Sequence, residues 1–335
     1  MSNDDGDHRP VRMRLPRRRF LHLAAGAAAL QTVARVARAE TYPARTVRVV
    51  VGFPPGSGPD IVARLLGQKL AEGLGQSFII ENRPGAGSNI ATETVVRAPA
   101  DGYTLLFAAA SNAINATLYP NLTFDFTKDI APIAIVVSTP FVLASNLAVP
   151  AKTVLEFVAY AKANPGKINM ASPGNGTTPH LCGELLKIMT GIDIVHVPYR
   201  TNYMADLIGG QVQIAFSTAT QLTEYVHAGK VRALGVTSAT RLEALPDVPA
   251  IAELLPGYEG IGWFGVGAPR DTPIDIIVRL NTAVNTAVAS ADVKARLIAL
   301  GVVPMSMTST EFGKFIAAET ERWGKVIRAA NIKAE

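Results

Sequence analysis

The sequence contains no run of about 20 apolar residues, so nothing in its body reads as a membrane-spanning helix. It has one cysteine, Cys182, in 335 residues, which excludes an internal disulfide. The motifs CxxC and HExxH are absent, and the five histidines are scattered along the chain, so no metal centre is expected. The nucleophile elbow G-x-S-x-G is missing, and no sequence signal pairs His180 with Ser57, which leaves no catalytic residue to assign. The Walker pattern is missing too, and GxGxxG fails after Gly56 and Gly58 because position 61 is Ile; no cofactor is expected. Residues 1–39 hold eight of the 32 basic residues and three of the 27 acids. The rest of the chain therefore carries no net charge, which argues against nucleic acid as a partner and against polybasic docking on a membrane.

What is present begins with a leader. Arg17-Arg18-Arg19-Phe20-Leu21 precedes the small-residue stretch Leu23–Leu30, and Ala37-Arg38-Ala39 supplies a small-residue cleavage site before Glu40. A charged start, a short apolar stretch and such a site make an export signal, here 1–39, cut after Ala39 and delivering a periplasmic protein. The paired arginines favour the twin-arginine route, with an ordinary secretory leader as the alternative. Met13 competes with Met1 as the true start.

The body then writes one pattern twice: a β-rich run, a glycine-rich turn, a helix. The first copy is Val47–Leu70, VRVVVGFPPGSGPDIVARLLGQKL, and the second is Lys167–Lys187, KINMASPGNGTTPHLCGELLK. A helix start exposes N–H groups without intrahelical partners, and the helix dipole adds positive charge there. Such a start binds an anion without Lys or Arg. Two of them predict one anionic small molecule held between two lobes.

The order of apolar runs supports that reading. Val47–Val51, Phe78–Ile80 and Tyr103–Ala108 read as strands, with helices between them near 59–70 and 89–97. This is β-α-β-α-β, which predicts a parallel, doubly wound sheet. Two β-rich runs, Ile133–Val137 and Phe141–Leu147, flank Pro140. A second unit comes next, with strands at Ile168–Ala171, Ile194–Val197, Val212–Phe216 and Val231–Thr237. Gly260–Gly267 reads as a strand leaving that unit, and three helical stretches close the chain, the last striped by Phe312, Ile316, Trp323 and Ile327. The chain crosses between lobes near 138–147 and near 258–266, which makes a two-crossing hinge around a ligand cleft. The expected domains are 40–140 with 264–335 as one lobe and 141–263 as the other.

The candidate ligand-binding residues lie mainly in the two turns. In the first turn they are Phe53, Pro54, Pro55, Gly56, Ser57 and Gly58; in the second they are Ser172, Gly174, Asn175, Gly176 and Thr177. Ser57, Ser172, Asn175, Thr177 and Thr178 offer side-chain donors suited to a carboxylate. Two readings stand for Asp60: an acid complementing its helix dipole, or a reader of an amine or hydroxyl on the ligand. Asn112, His180, Tyr199 and Thr218 complete the set. Tyr199 either caps the cleft or packs, and Cys182 reads as a buried structural thiol.

Taken in order, the segments YPARTVRVVVGFPPGSGPDIVAR, GQSFIIENRPGAGSNIA, DGYTLL, KINMASPGNGT, HVPYR, GKVRALGVTSATR, LPDVP and RWGKVIRAANI resemble the substrate-binding proteins of tripartite tricarboxylate transporters, the Bug-type extracytoplasmic receptors. The resemblance runs from Tyr42 to the end of the chain. It implies an α/β periplasmic type II binding-protein fold whose two glycine turns take a carboxylate as the lobes close. It places Asp60 at a position that can contact an amino or hydroxyl group. It also implies a monomer that hands its small organic acid to a large and a small membrane subunit.

The chain departs from the family pattern where the ligand would lie. Gly56-Ser57 stands where Gly-Gly is common, Thr201–Ala205 replaces a longer loop, and Phe216-Ser217-Thr218 carries no acid. These departures predict an altered ligand, larger or more apolar than citrate. The competing functions are a sensor signalling to a membrane histidine kinase and a periplasmic enzyme acting on a carboxylate. The missing nucleophile elbow and metal ligands weigh against the enzyme.

Overall fold

The computed structural model describes residues 42–199 and 202–334. The chain divides into two units, Met1–Ala44 and Arg45–Glu335. The export segment and its cleavage site lie outside the described residues. All strands and helices among the described residues belong to the second unit. No helix among the described residues is long and apolar enough to cross a membrane.

The first half of this unit alternates strand and helix: β1 (Val47–Val51), α1 (Gly58–Leu74), β2 (Phe78–Asn82), α2 (Asn89–Val96), β3 (Thr104–Ala109) and α3 (Ala110–Leu118). The short α4 (Phe126–Asp129) leads into β4 (Ile130–Ser145). The second half repeats the order: α5 (Val154–Ala163), β5 (Asn169–Ser172), α6 (Thr178–Thr190), β6 (Val195–Pro198), α7 (Met204–Gly209), β7 (Ile214–Thr218), α8 (Ala219–His227) and β8 (Arg232–Val236). After α9 (Ile251–Leu254) the chain returns through β9 (Ile261–Pro269) to α10 (Ile274–Ala289), α11 (Ala291–Ala299), β10 (Val303–Pro304) and α12 (Ser309–Ala329).

Strand order exposes the duplication. The ladder runs β2-β1-β3-β9-β4-β7-β5-β6, with β8 and β10 also paired to β4. In the first half β1 lies between β2 and β3, all parallel. In the second half β5 lies between β6 and β7, again parallel. Strands β9 and β4 close the respective triplets in antiparallel register. The duplicated doubly wound α/β architecture agrees with expectation. Each half buries Val, Ile, Leu and Ala on both sheet faces, as parallel strands under helices must; Leu105, Leu106 and Phe107 are fully buried in a row.

The two runs flanking Pro140 are one strand. Up to Pro140 β4 pairs with β9, and from Phe141 onward it pairs with β7 and, from Val142, with β8. The proline therefore stands where the strand leaves one set of partners for the next. A missing N–H is tolerated at such a break, and the fixed φ of proline fits an extended chain. The sequence shows the interruption but not that the strand continues through it.

The helices end as their sequences direct. Thr153 caps α5 by accepting from the Glu156 N–H, 3.2 Å, and Thr308 caps α12 in the same way, with Glu311 reaching back to the Thr308 N–H. Helices α1 and α6 both stop at a left-handed glycine, Gly75 and Gly191, the residue that reaches this conformation without a Cβ penalty. The last helix serves both halves. Phe312 and Ile316 lie in the core of the first, while Trp323, Val326 and Ile327 lie in that of the second, beside Ile114 and Leu118 of α3.

Candidate functional site

Each glycine turn leaves the central strand of its triplet and opens a helix: β1 into α1, β5 into α6. Open α/β sheets bind ligands at these carboxyl ends. The turns match residue by residue. Ser57 and Thr177 are the N-cap residues, both extended, and a proline, Pro59 or Pro179, comes two positions later. The Ser57 hydroxyl donates to the Pro54 carbonyl at 2.6 Å, and the Thr177 hydroxyl donates to the Gly174 carbonyl at 2.7 Å. Neither hydroxyl therefore accepts from the first turn of its helix. The helix N–H groups keep no side-chain cap, and their partial positive charge stays directed at the turn.

The glycine before each cap is held from inside by the fourth residue after it. The Gly56 N–H donates to Asp60 Oδ2 at 2.8 Å, and the Gly176 N–H donates to His180 Nδ1 at 3.1 Å. Asp60 is 1% exposed. Its carboxylate also accepts from Arg64 Nε at 2.9 Å and from Asn82 Nδ2 at 2.8 Å, and Asn82 in turn donates to the Phe53 carbonyl. Burial alone would raise its pKa; the bonds from Arg64, Gly56 and Asn82 outweigh this and hold it below the usual value. Asp60 thus anchors the first turn from behind. Arg64, one helical turn away, and Asn82, at the end of β2, are partners absent from the sequence-based set, although the i, i+4 spacing of Asp60 and Arg64 is a readable signal.

The second turn uses imidazoles for the same task. His180 stacks on His196, with ring centroids 3.6 Å apart and planes 9° apart. His196 Nε2 lies 2.6 Å from the Ser172 hydroxyl, which accepts from the Gly174 N–H at 3.1 Å. Burial, with the neighbouring His196 and the Lys187 charge, lowers His180 to about 3. Burial and Lys187 lower His196 to about 4. Both rings are neutral at neutral pH. Beyond its place at the end of a strand, His196 carries no sequence signal linking it to this turn.

The other candidates sit at matching junctions. Asn112 lies in the first turn of α3, directly after β3. Its Oδ1 accepts from the Ala109 N–H at 2.8 Å and its Nδ2 donates to Thr92 Oγ1 at 2.7 Å. Thr218 ends β7 and starts α8, and its hydroxyl is 3.1 Å from that of Thr220. Tyr199 continues from β6. Its N–H donates to the Ser172 carbonyl, and its hydroxyl donates to Asp206 Oδ2 at 2.6 Å. That bond, with burial, pushes its pKa up to about 12. Pro54, Pro55, Gly56 and Gly58 are exposed, while Phe53, Ser57, Gly174, Asn175 and Thr177 are half-buried. Gly176 is buried against α3, where a Cβ would stand 2.3 Å from Leu118 Cδ2.

Between β2 and α2 the backbone takes an unusual path. Gly85, Ala86, Gly87 and Ser88 all have positive φ, with Ala86 at 46° and Ser88 at 80°. A left-handed residue other than glycine costs about 1–2 kcal/mol. Ser88 presses its hydroxyl against Gly52, where a Cβ would come within 1.9 Å of Ser88 Oγ. By composition this segment reads only as a loop.

Among the described residues no group of three His, Cys, Asp or Glu side chains is placed to hold a metal. Cys182 is a free, buried thiol.

Comparison with known proteins gives these features a family. A sequence model described as the tripartite tricarboxylate transporter family receptor matches residues 62–332. Protein BugT of Bordetella pertussis is 36% identical over 306 residues, covering 90% of this chain and 94% of BugT. An R. palustris protein solved with adipate superposes with a TM-score of 0.73 at 35% identity, over 87% of this chain and 99% of that one. MatC from Rhodopseudomonas palustris, solved with bound malate, gives 0.70 at 32% identity, over 85% and 100%. The chain belongs to the tripartite tricarboxylate transporter receptor family.

Proposed function

We propose that this receptor captures a small organic carboxylate outside the cytoplasmic membrane and delivers it to the membrane subunits of a tripartite tricarboxylate-type transporter. The observation that carries this reading is the duplicated turn. Two helix starts, Ser57–Asp60 and Thr177–His180, keep their N–H groups free of side-chain caps and have their glycines braced by Asp60 and His180. Such a pair suits one carboxylate engaged from two sides. Relatives at 35% and 32% identity were solved with adipate and malate, which supports a carboxylate as cargo.

In this reading the cradle is Phe53–Gly58 with Ser172, Gly174, Asn175, Gly176 and Thr177. Its donors are backbone N–H groups, because the Ser57 and Thr177 hydroxyls already donate within the turns. Asp60, Asn112 and His180 position backbone, and Tyr199 and Thr218 stand at the rim. Lobes of 40–140 with 264–335 and of 141–263 close on the ligand about β4 and β9, as a population shift drawn by contacts to both. The receptor works as a monomer, binds without turnover, and reaches the periplasm through the leader at 1–39, cut after Ala39.

A thermal-shift screen tests the reading. The protein is stripped of carried-over ligand by unfolding and refolding, then presented with mono-, di- and tricarboxylic acids, aromatic acids and amino acids. Ligand at 100 times Kd stabilises the native state by about 2.7 kcal/mol, a readable rise in Tm. A rise with an acid supports the receptor reading. A folded protein that responds to none of them refutes it.

A further inference from the structure

The buried face of α12 carries a single charge. Phe312, Ile316, Trp323, Val326 and Ile327 recur on that face at helical spacing, and Glu319 stands among them, 1% exposed. Ile316 belongs to the core of the first half and Trp323 to that of the second. Glu319, one turn from each, therefore sits where the two cores meet. A carboxylate there is costly unless it is paired. Trp323 Nε1 donates to Glu319 Oε2 at 3.0 Å, and Arg322 Nη1 lies 3.0 Å from Oε1.

The return of the chain into β9 runs past this carboxylate. Arg322 Nη2 lies 3.2 Å from Glu259 Oε2, and Glu259 stands two residues before β9. Trp263, the third residue of β9, is opposite Ser138 of β4, two positions before Pro140, where β4 changes partners. The Trp263 ring packs edge-on against Phe312 and Phe315 of α12, with centroids 5.6 and 5.8 Å apart. Its Nε1 is buried and makes no hydrogen bond. A fully buried N–H without an acceptor is rare in native chains, and here an acceptor stands beside it. Burial raises the Glu319 pKa, and Arg322, Trp323 and Trp263 draw it back without restoring the usual value. The two tryptophans of the chain thus approach one carboxylate, one from each core.

We propose that Glu319 is a positioning residue for closure, and that its bond to Trp263 Nε1 is completed as the two halves close on the bound acid. The assignment rests on the carboxylate-receptor reading and on closure about β4 and β9. Trp263 rides on β9, one of the two strands about which the halves turn, whereas Glu319 is fixed on α12 by Trp323 and Arg322. A small movement of β9 against α12 brings donor and acceptor together. A bond present in only one of two arrangements shifts their populations, and with them the apparent affinity for the acid that selects one. Glu319 acts on the ligand through the hinge alone.

The test follows the two indole N–H signals by NMR in the refolded protein, with tryptophan labelled at the indole nitrogen. The probes are succinate, adipate, malate, citrate and benzoate at saturating concentration, and Trp263→Phe or Trp323→Phe identifies both signals. The Trp263 proton should move downfield with any acid that raises Tm, as an N–H does on gaining an acceptor. It should move less than half as far in Glu319→Gln, which keeps the size of the side chain but offers one acceptor oxygen in place of two. Affinity by calorimetry should fall at least fivefold in Glu319→Gln and in Trp263→Phe. The double variant should lose no more than a further twofold, because both changes remove the same bond. A Trp263 signal that acid leaves in place in the parent overturns the proposal, and that result needs no variant to fold. Unchanged affinity in Glu319→Gln, or losses that add in the double variant, overturns it too. A folded parent whose Tm responds to none of these acids overturns the receptor reading and this one with it; a parent that binds acid with an unmoved Trp263 signal overturns this one alone.

Discussion

The imidazole of His180 lies flat on that of His196, 3.6 Å between centroids, and each ring holds part of the second glycine turn. His180 Nδ1 accepts from Gly176, so its proton sits on Nε2, which faces Glu184 Oε1 at 3.8 Å. Protonation of Nδ1 would point a hydrogen at the Gly176 N–H. The folded values of about 3 for His180 and about 4 for His196 lie below the ordinary 6.5. Between those values the unfolded chain binds more protons than the folded one. Stability from this pair is therefore complete above about pH 6.5 and is lost as pH falls toward 4 and then 3. Melting curves from pH 7.5 to 3.5 should show Tm falling on the acid side. The double variant His180→Asn, His196→Asn should lose most of that slope, and an unchanged slope would show that the pair is not its source.

Asp60 and His180 occupy equivalent places, yet one is an anion and the other a neutral ring. Removing Asp60 leaves the Gly56 N–H without its acceptor, takes one of two acceptors from Asn82 Nδ2, which keeps the Phe53 carbonyl, and breaks the ion pair with Arg64. Asp60→Ala should lower stability by about 2–3 kcal/mol, measured by urea unfolding, and should weaken ligand binding through the loosened turn. At the other turn, His180→Asn keeps an acceptor near the Nδ1 position and His180→Leu does not. Both lose the ring stack, and His180→Leu also leaves the buried Gly176 N–H without its acceptor, so it should be the less stable of the two by about 1–3 kcal/mol. Affinity should stay near the parent value in His180→Asn and drop at least tenfold in His180→Leu; equal affinities would remove the turn from His180's role.

Gly56 and Gly174 test the cradle directly. Their φ values are +78° and +135°, and a Cβ at either would meet nothing within 4 Å. A side chain there strains the backbone without disturbing the core. Gly56→Val and Gly174→Val should each cost about 1–3 kcal/mol and remain folded, while affinity falls at least tenfold. Unchanged affinity in both variants would refute the two-turn cradle.

Much of this architecture is legible in the residues. Val47–Val51 and the apolar stripe of Ile61, Val62, Leu65, Leu66 and Leu70 announce a strand and helix by periodicity alone, and the Gly-rich turns with Pro59 and Pro179 mark both helix starts. Helix α3 is not legible: SNAINATL is short and polar, and its start is held by Asn112 reaching back to the Ala109 N–H, a contact no periodicity reveals. The same limit hides the bracing of the turns. Asp60 with Asn82, and His180 with His196, are pairs made by β1 lying on β2 and β5 on β6, so they exist only once the sheets have formed. Sequence identifies the hydroxyls of Ser57 and Thr177 as donors but not their direction, which is back into the turn.

Cys182 offers a probe that needs no new label. Its thiol is fully buried on α6, donates to the Gly260 carbonyl at 3.5 Å and lies near Tyr258, whose hydroxyl donates to the Cys182 carbonyl. Burial drives its pKa far above the ordinary thiol value, so almost no thiolate is present at neutral pH, and thiolate is the reactive form. Gly260 begins the return of the chain toward β9, and a Cβ there would come within 2.5 Å of Cys182 Sγ. Reaction with a disulfide reagent at pH 8 should therefore be slow in the native protein and complete in denaturant. A bound acid that stabilises the native state should slow native labelling further, by lowering the population of open forms. Rapid labelling of the native protein would show that the packing of α6 against residues 258–260 opens readily, and that Cys182 is not the inert core thiol its surroundings require.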